Sequence, residues 1–417
     1  MELFDILAIL LSLTAGFAYL NHRFIGLPVT IGVMVIALLA SLLLQMIDLL
    51  GFHLGEYAAH WLGTIDFNKT LLHGMLSYLL FAGALHVNLG DLQDQKWTIG
   101  LLATVGTVIS TFLVGAITWW VLSLLDIPLP FIMCLVFGAL ISPTDPIAVL
   151  GILKNAGAPK SLEVKITGES LFNDGVGVVI FLLIVEVATE THEPTMGHIV
   201  GLFVQEAIGG GIFGLALGAL AYWLLKSIDQ YQVEVIITLA LVTGGYALAN
   251  ALHLSGPIAI VVAGLLIGNQ GRQFAMSEQT REHLDGFWEL LDEILNSVLF
   301  VLIGLEVLVL TFTQEYLFAS LALIPLILLC RFVAIGVPMT VLRLVRTFTP
   351  GAIWLMTWGG LRGGISVALA LSLPATPERD LILAITYVVV VFSIVVQGLT
   401  MDKLVKRLVP SEGDAAT

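Results

Sequence analysis

Apolar runs of membrane-crossing length follow one another along almost the whole chain, separated by short polar connections. A helix needs about 20 apolar residues to cross a bilayer's hydrocarbon, and thirteen such spans can be marked. They fall near 4–20, 28–50, 70–87, 98–125, 130–153, 166–188, 198–225, 233–252, 256–269, 288–310, 315–342, 350–373 and 380–402. The ninth is short enough to be tilted or re-entrant. Neither the connection 51–69 nor the tail after Leu404 is long enough for a separate soluble domain. The pattern predicts an all-α polytopic membrane protein, with one membrane domain filling residues 1–417. The start, Met1-Glu2-Leu3-Phe4-Asp5, is acidic where a cleaved signal is basic, so the first span is expected to be retained.

Composition narrows the class. Of 417 residues, 58% are hydrophobic and only 12% charged, with mean hydropathy +1.01. Soluble domains carry roughly a quarter charged residues, so this chain cannot clothe a soluble globule. A net charge of −14 and a pI near 4.9 exclude nucleic acid as a partner. Both cysteines, Cys134 and Cys330, lie in apolar runs, which leaves no disulfide framework and no cysteine metal site.

Lys and Arg in the connections set the orientation. With the C-terminus cytoplasmic, thirteen basic residues fall inside: Arg23, Lys96, Lys154, Lys160, Lys165, Lys226, Arg272, Arg281, Arg343, Arg346, Lys403, Lys406 and Arg407. Only Lys69 and Arg379 fall outside, and an odd number of crossings is required, so the N-terminus is expected outside. Among the charged residues within spans, six are singled out: Asp145, Glu169, Asp174, Glu206, Arg331 and Arg362. Ionisable groups at membrane depth are costly and mark partners or water-filled paths.

The fifth span contains Ser142-Pro143-Thr144-Asp145-Pro146. Two prolines in mid-span remove helix hydrogen bonds and disfavour helical geometry at the residues before them. A broken helix is expected, with Thr144 and Asp145 at the break and a carboxylate as a hard oxygen ligand for a cation. The competing reading is a simple proline kink around a buried neutral Asp. In the sixth span, Gly168-Glu169-Ser170-Leu171-Phe172-Asn173-Asp174, the i,i+4 pairs Glu169/Asn173 and Ser170/Asp174 form one polar face. Ser170 and Asp174 offer oxygens suited to an alkali cation, and Gly175 and Gly177 allow close helix approach. A purely structural polar seam is the alternative.

The twelfth span, Trp358-Gly359-Gly360-Leu361-Arg362-Gly363-Gly364, is expected to be interrupted too, its guanidinium neutralising the negative end of a half-helix and binding freed carbonyls. A phosphate-binding glycine loop is the weaker reading, because no strand precedes it and no P-loop lysine follows. Spans five and twelve each stand fifth in a half when spans one to six and eight to thirteen are paired, and those halves run in opposite senses. Matching interruptions in two inverted six-helix repeats point to a secondary-transport site at the midplane. Arg331, alone in the eleventh span, needs an acidic partner, for which Glu169 is the candidate. Glu206 lies before Gly210, Gly214 and Gly218, a small-residue ladder read as helix packing, and takes no transport role.

Thr144-Asp145-Pro146, Glu169-Ser170-Leu171-Phe172-Asn173-Asp174 and Gly360-Leu361-Arg362-Gly363 together resemble the cation:proton antiporter-1 family, in its NhaP-type sodium/proton antiporters. Leu80-Phe81-Ala82-Gly83-Ala84-Leu85-His86 and His253-Leu254-Ser255-Gly256-Pro257 resemble it as well. The resemblance implies a homodimeric thirteen-helix exchanger with two crossed, broken helices. Core helices would span about 98–188 and 315–402, dimerisation helices about 4–87 and 198–310, and the core would move in an elevator-like step. It also implies residue roles. Asp174 would be the ion and proton site, with Asp145, Ser170 and Thr144 as cation ligands. Asn173 and Arg362 would stabilise the crossed helices, and Glu169 and Arg331 would pair. Many relatives have glutamate where this chain has Ala82, which removes one outer ligand.

The expected activity is exchange of sodium, with lithium or potassium as alternatives, for protons across a bacterial or archaeal inner membrane. Asp174 would hold a proton or a cation but not both, so only loaded states cross. With Asn173 neutral, one sodium for one proton is expected, without net charge movement. Glu289, Asp292 and Glu293 at the start of span ten can concentrate cations or simply form a solvated helix end. An intramembrane aspartyl protease would need a Gly-x-Gly-Asp arrangement the chain lacks, and a cation channel would not need inverted broken helices. Hydrolase motifs such as His-Glu-x-x-His are absent. The reading is therefore a transporter rather than an enzyme, with no cofactor beyond the transported ions. The nine histidines are scattered, with His86 and His253 as candidates for a pH response, and Asn68-Lys69-Thr70 matches a glycosylation sequon.

Overall fold

The computed structural model describes residues 3–48, 50–62, 75–146, 149–151, 153, 158–189, 196–310, 313–344, 348–349 and 351–408. The sequon at 68–70, Lys154 and Arg346 lie outside the described residues.

Helix overlaps every one of the thirteen predicted spans. In chain order the helices are α1 (Leu3–Leu20), α2 (Val29–Asp48), α3 (Leu54–Leu62), α4 (Leu76–Leu85) and α5 (Leu89–Leu124). Then come α6 (Phe131–Ile141), α7 (Lys160–Thr189), α8 (Gly201–Lys226), α9 (Tyr231–Ala251) and α10 (Gly256–Leu266). The last five are α11 (Glu278–Glu306), α12 (Gln314–Leu342), α13 (Ala352–Gly359), α14 (Gly364–Leu371) and α15 (Pro377–Leu408). Eight of the described helices are long and apolar enough to cross a membrane. Large apolar side chains such as Trp119, Trp120, Trp223 and Phe318 face outward, which suits lipid and not water.

Several helices begin well before their apolar spans. Hydrophobicity marks where hydrocarbon starts, whereas a helix starts where its first amides find a cap. Asn88 accepts hydrogen bonds from the amides of Gly90 and Asp91, so α5 starts at Leu89 with two polar turns outside the apolar run. Ser277 caps Thr280, and α11 gains ten residues before position 288.

α5 runs along α6, α7 and α12, and α12 packs on α15; α2 lies against α11, and α10 is wedged between α4 and α8. The Gly210, Gly214 and Gly218 ladder meets α10 at Ser255, Ala259 and Ala263, where a Cβ at Gly214 would strike the Ala259 backbone. Close backbone approach of this kind maximises dispersion contact where lipid supplies no hydrophobic drive. Glu206 stands beside that seam, and its carbonyl accepts the Ser255 amide at 3.3 Å.

Candidate functional site

The first break follows from its prolines. Pro143 and Pro146 donate no amide and cannot continue the helical ladder. α6 accordingly ends at Ile141, with the Ser142 amide still on the Ala139 carbonyl at 3.3 Å, and Pro143–Pro146 leave the helix. Helix resumes with the amides of Val149 and Leu150 on the Pro146 carbonyl. The second break separates α13 from α14 at Gly360–Gly363. The two breaks touch: the Asp145 amide donates to the Leu361 carbonyl at 2.8 Å, forming an isolated antiparallel bridge. Gly363 permits that approach, because a Cβ there would collide with the Asp145 side chain.

α7 lays its polar face on this crossing. Asn173 Oδ1 accepts the Thr144 amide at 3.2 Å, and its Nδ2 donates to Thr144 Oγ1 at 2.9 Å. The Thr144 and Ser170 hydroxyls share a hydrogen bond of 2.9 Å. Gly177 sits under the Pro143 ring, where any larger side chain would clash, so α7 presses closely on the first break. Asp174, one turn beyond Ser170, is only 7% exposed, and its carboxylate is near enough to Asp145 for each to feel the other's charge. Asp145 itself is half-buried.

Freed backbone groups at membrane depth must find partners within the protein, since lipid offers none. Arg362 Nη1 donates to the carbonyls of Ser142, at 2.6 Å, and Pro143, at 3.0 Å. Those carbonyls lie at the C-terminal end of α6, where a cation is favoured by the helix dipole. Ser393 Oγ accepts the Arg362 amide at 2.9 Å, and Gln397 Nε2 donates to the Trp358 carbonyl at 2.9 Å. Ser393 and Gln397 bound a widened helical turn in α15, a feature common at functional sites. Sequence reasoning passed over both. Their i,i+4 spacing in an otherwise apolar span was the available signal.

Glu169 and Arg331 form a two-pronged ion pair between α7 and α12, with Nη1–Oε1 at 2.6 Å and Nη2–Oε2 at 2.9 Å. Both side chains are buried, and Gly360 lies against the guanidinium, where a Cβ would come within 2.7 Å of Nε. Thr144, Asp145, Ser170, Asn173, Asp174 and Arg362 thus gather around the crossing, while Glu169–Arg331 braces it from one side. Ala82 is buried on α4, and its carbonyl lies 2.8 Å from His86 Nδ1. His253 stands apart from the crossing, in the turn before α10.

The geometry can be set beside known proteins. Residues 9–407 match the family model described as sodium/hydrogen exchanger, transmembrane. The Na(+)/H(+) antiporter NhaP of Pseudomonas aeruginosa is 53% identical over 409 residues, covering 97% of this chain and 96% of that protein. The Na(+)/H(+) antiporter NhaH of Halobacillus dabanensis is 37% identical over 346 residues, covering 82% and 84%. Among solved structures, the sodium proton antiporter MjNhaP1 of Methanocaldococcus jannaschii superposes with a TM-score of 0.76 at 18% identity, over 98% of this chain and 99% of that one, and so shares the fold. With two crossed helix breaks and a family match spanning nearly its whole length, this multi-pass membrane protein belongs to the sodium/hydrogen exchanger family.

Proposed function

We propose that this exchanger loads sodium and protons alternately on Asp174, with Asp145, Ser170 and Thr144 completing the cation's oxygen shell. One observation carries the reading: the hydroxyls of Thr144 and Ser170 are hydrogen-bonded together beside two carboxylates, where both membrane helices are broken. Hydroxyl, carboxylate and freed carbonyl oxygens are hard donors suited to an alkali cation. A bare carboxylate is costly to carry through the barrier. Asp174 therefore crosses only with a proton or a cation, and that prohibition couples the two fluxes. The names of NhaP and NhaH, both sodium/proton antiporters, support the same exchange.

Asn173 is neutral and occupied with Thr144, so it adds no second exchangeable charge. The cycle then moves one sodium against one proton without net charge. A cycle that moved a charge would respond by about 2.3 kcal/mol per charge per 100 mV. The basic connections support a C-terminus in the cytoplasm of a cell whose plasma membrane holds the protein, with the N-terminus outside. The helices near 98–188 and 315–402 form the moving core, and those near 4–87 and 198–310 form a stationary part that pairs with a second copy.

The test is proton flux driven by sodium, lithium or potassium gradients in proteoliposomes. Asp174→Asn is expected to abolish exchange while leaving a folded, monodisperse protein. Retained sodium-dependent proton flux in that variant would sink the assignment. Flux driven by potassium alone would revise the cation, and a rate or end-point that follows the clamped potential would overturn electroneutrality.

A further inference from the structure

A cavity of about 620 Å³ lies where α4 ends, α5 and α11 begin and α10 has just ended, and no residue of the crossing lines it. One wall is His86–Asn88, the connection from α4 to α5. The other is Ile267–Gly271, a widened helical turn after α10 of the kind common at functional sites. Asn269 stitches the two together: its Oδ1 accepts the Leu89 amide at 2.8 Å, and its Nδ2 donates to the Val87 carbonyl at 2.9 Å. A Cβ at Gly268 would strike the Leu85 carbonyl, so the turn is pressed onto the end of α4. α4, α10 and α11 belong to the proposed stationary part, whereas α5 leads into the moving core. The cavity therefore sits on the joint between them.

The chain carries a net charge of −14, yet two guanidinium groups, Arg272 and Arg281, line this cavity against one carboxylate, Asp285. Asp285 is taken by Arg272, whose Nη2 is paired with it. Arg281 is left uncompensated. Among the described residues it makes no ion pair, and its hydrogen bond from Nη2 to the Met276 carbonyl is long, at 3.3 Å. The Nε of each arginine is shut off from solvent with no acceptor. A donor that has shed water without gaining a partner is costly, and the guanidinium fork is shaped for carboxylate or phosphate oxygens. The start of α5 does not supply the attraction, because Asn88 takes the Gly90 and Asp91 amides and Asn269 takes that of Leu89. A phosphate group suits the pair better than a carboxylate. Its extra oxygens can accept from both arginines at once, and the cavity has the volume of a small-molecule site rather than of a lone ion.

We propose that this cavity is a regulatory site for a phosphate-bearing anion, held by Arg281 and Arg272, which clamps the α4–α5 connection to the stationary helices. Binding stands on the cavity alone, whereas the clamp rests on the reading that a core moves against a stationary part. A ligand shifts a conformational equilibrium only through its preference for one state. An anion that fits this arrangement holds it, and so slows the cycle. Free phosphate compounds and phospholipid headgroups share the chemistry, and both reach the proposed cytoplasmic face on which the cavity lies.

Binding is read as thermal stabilisation of lipid-stripped protein in detergent by millimolar inorganic phosphate or pyrophosphate, against chloride at matched ionic strength and pH. Arg281→Gln is expected to weaken the apparent affinity about tenfold, with Arg281→Lys, which keeps the charge and loses the fork, in between. Arg407→Gln, removing an exposed charge on the same proposed face, is expected to change it less than about twofold. For the lipid source, each variant is reconstituted in phosphatidylethanolamine with phosphatidylglycerol, and the phosphatidylglycerol retained after extraction is counted by native mass spectrometry. Retention that falls in Arg281→Gln identifies a headgroup, and stabilisation by phosphate identifies a soluble compound; either supports the site. Neither, or an Arg407→Gln loss equal to that of Arg281→Gln, would overturn it in favour of diffuse attraction. In proteoliposomes, the anion so identified should lower the maximal exchange rate at least about twofold in the parent and not in Arg281→Gln. Binding with an unchanged rate would overturn the clamp. Because melting needs no sodium gradient, binding that persists in Asp174→Asn separates a failure of the exchange reading from a failure of this site.

Discussion

The two helix breaks occupy matching places in the chain's inverted halves, yet they are made of opposite materials. The first is enforced by Pro143 and Pro146 and presents oxygens: the Thr144 hydroxyl, the Asp145 carboxylate and the carbonyls of Ser142 and Pro143. The second is permitted by glycines and presents a cation, Arg362, with its own amide tied to Ser393. Proline removes donors and leaves acceptors, which suits a cation site. Glycine lets two backbones meet, as at Leu361 and Asp145, and makes room for a guanidinium that covers the exposed carbonyls. In the proposed cycle, one break binds and the other balances.

The largest expected effect lies in the brace behind both breaks. Arg331→Ala or Glu169→Gln leaves a buried charge unpaired and should lower stability by about 3–5 kcal/mol. Joint replacement by apolar residues, Glu169→Leu with Arg331→Met, should recover most of that loss. Thermal unfolding of the three variants checks both statements, and a single variant as stable as the parent would make the brace dispensable.

Next comes the balancing break. Arg362→Leu leaves the Ser142 and Pro143 carbonyls without their guanidinium, at about 1–3 kcal/mol for each orphaned group. Exchange should fall at least tenfold, and Arg362→Lys, keeping the charge but losing the fork geometry, should fall between. Parental exchange in Arg362→Leu would erase the functional difference between the breaks.

Gly363→Ala sharpens the comparison at the point of contact. Its Cβ would push on the Asp145 side chain, so the sodium KM should rise several-fold. Gly359→Ala, four residues earlier, presses only lightly on the flexible end of Met401, at 3.2 Å, with ordinary contacts to Val149 and Ile166, and should change KM little. Equal effects at both positions would trace the loss to helix flexibility instead of ligand placement. The smallest effect is expected for Ser393→Ala, which removes a single acceptor from the Arg362 amide: about 0.5–1.5 kcal/mol of stability and less than twofold in rate.

Much of this was legible in the chain. Asp145 and Asp174 were visible because a carboxylate inside an apolar span is costly and cannot be incidental. Two prolines three residues apart disclosed one break, and four glycines around Arg362 disclosed the other. Ser393 and Gln397 were not singled out, because small polar residues in apolar spans are common and only their partners give them meaning. Ser393 matters through the Arg362 amide and Gln397 through the Trp358 carbonyl. Helix starts were missed for a related reason: capping by Asn88 and Ser277 acts outside the hydrocarbon that hydropathy reports.

The sequence by itself determined the membrane class, the thirteen apolar spans, the two interruptions and the ionisable residues within them. Each of these is a local property of composition or of a backbone that proline and glycine constrain. Only the tertiary structure decided that the interruptions meet, and that Arg362 serves the carbonyls of the other broken helix and not its own. Those facts join residues more than two hundred positions apart, and they depend on how the helices pack.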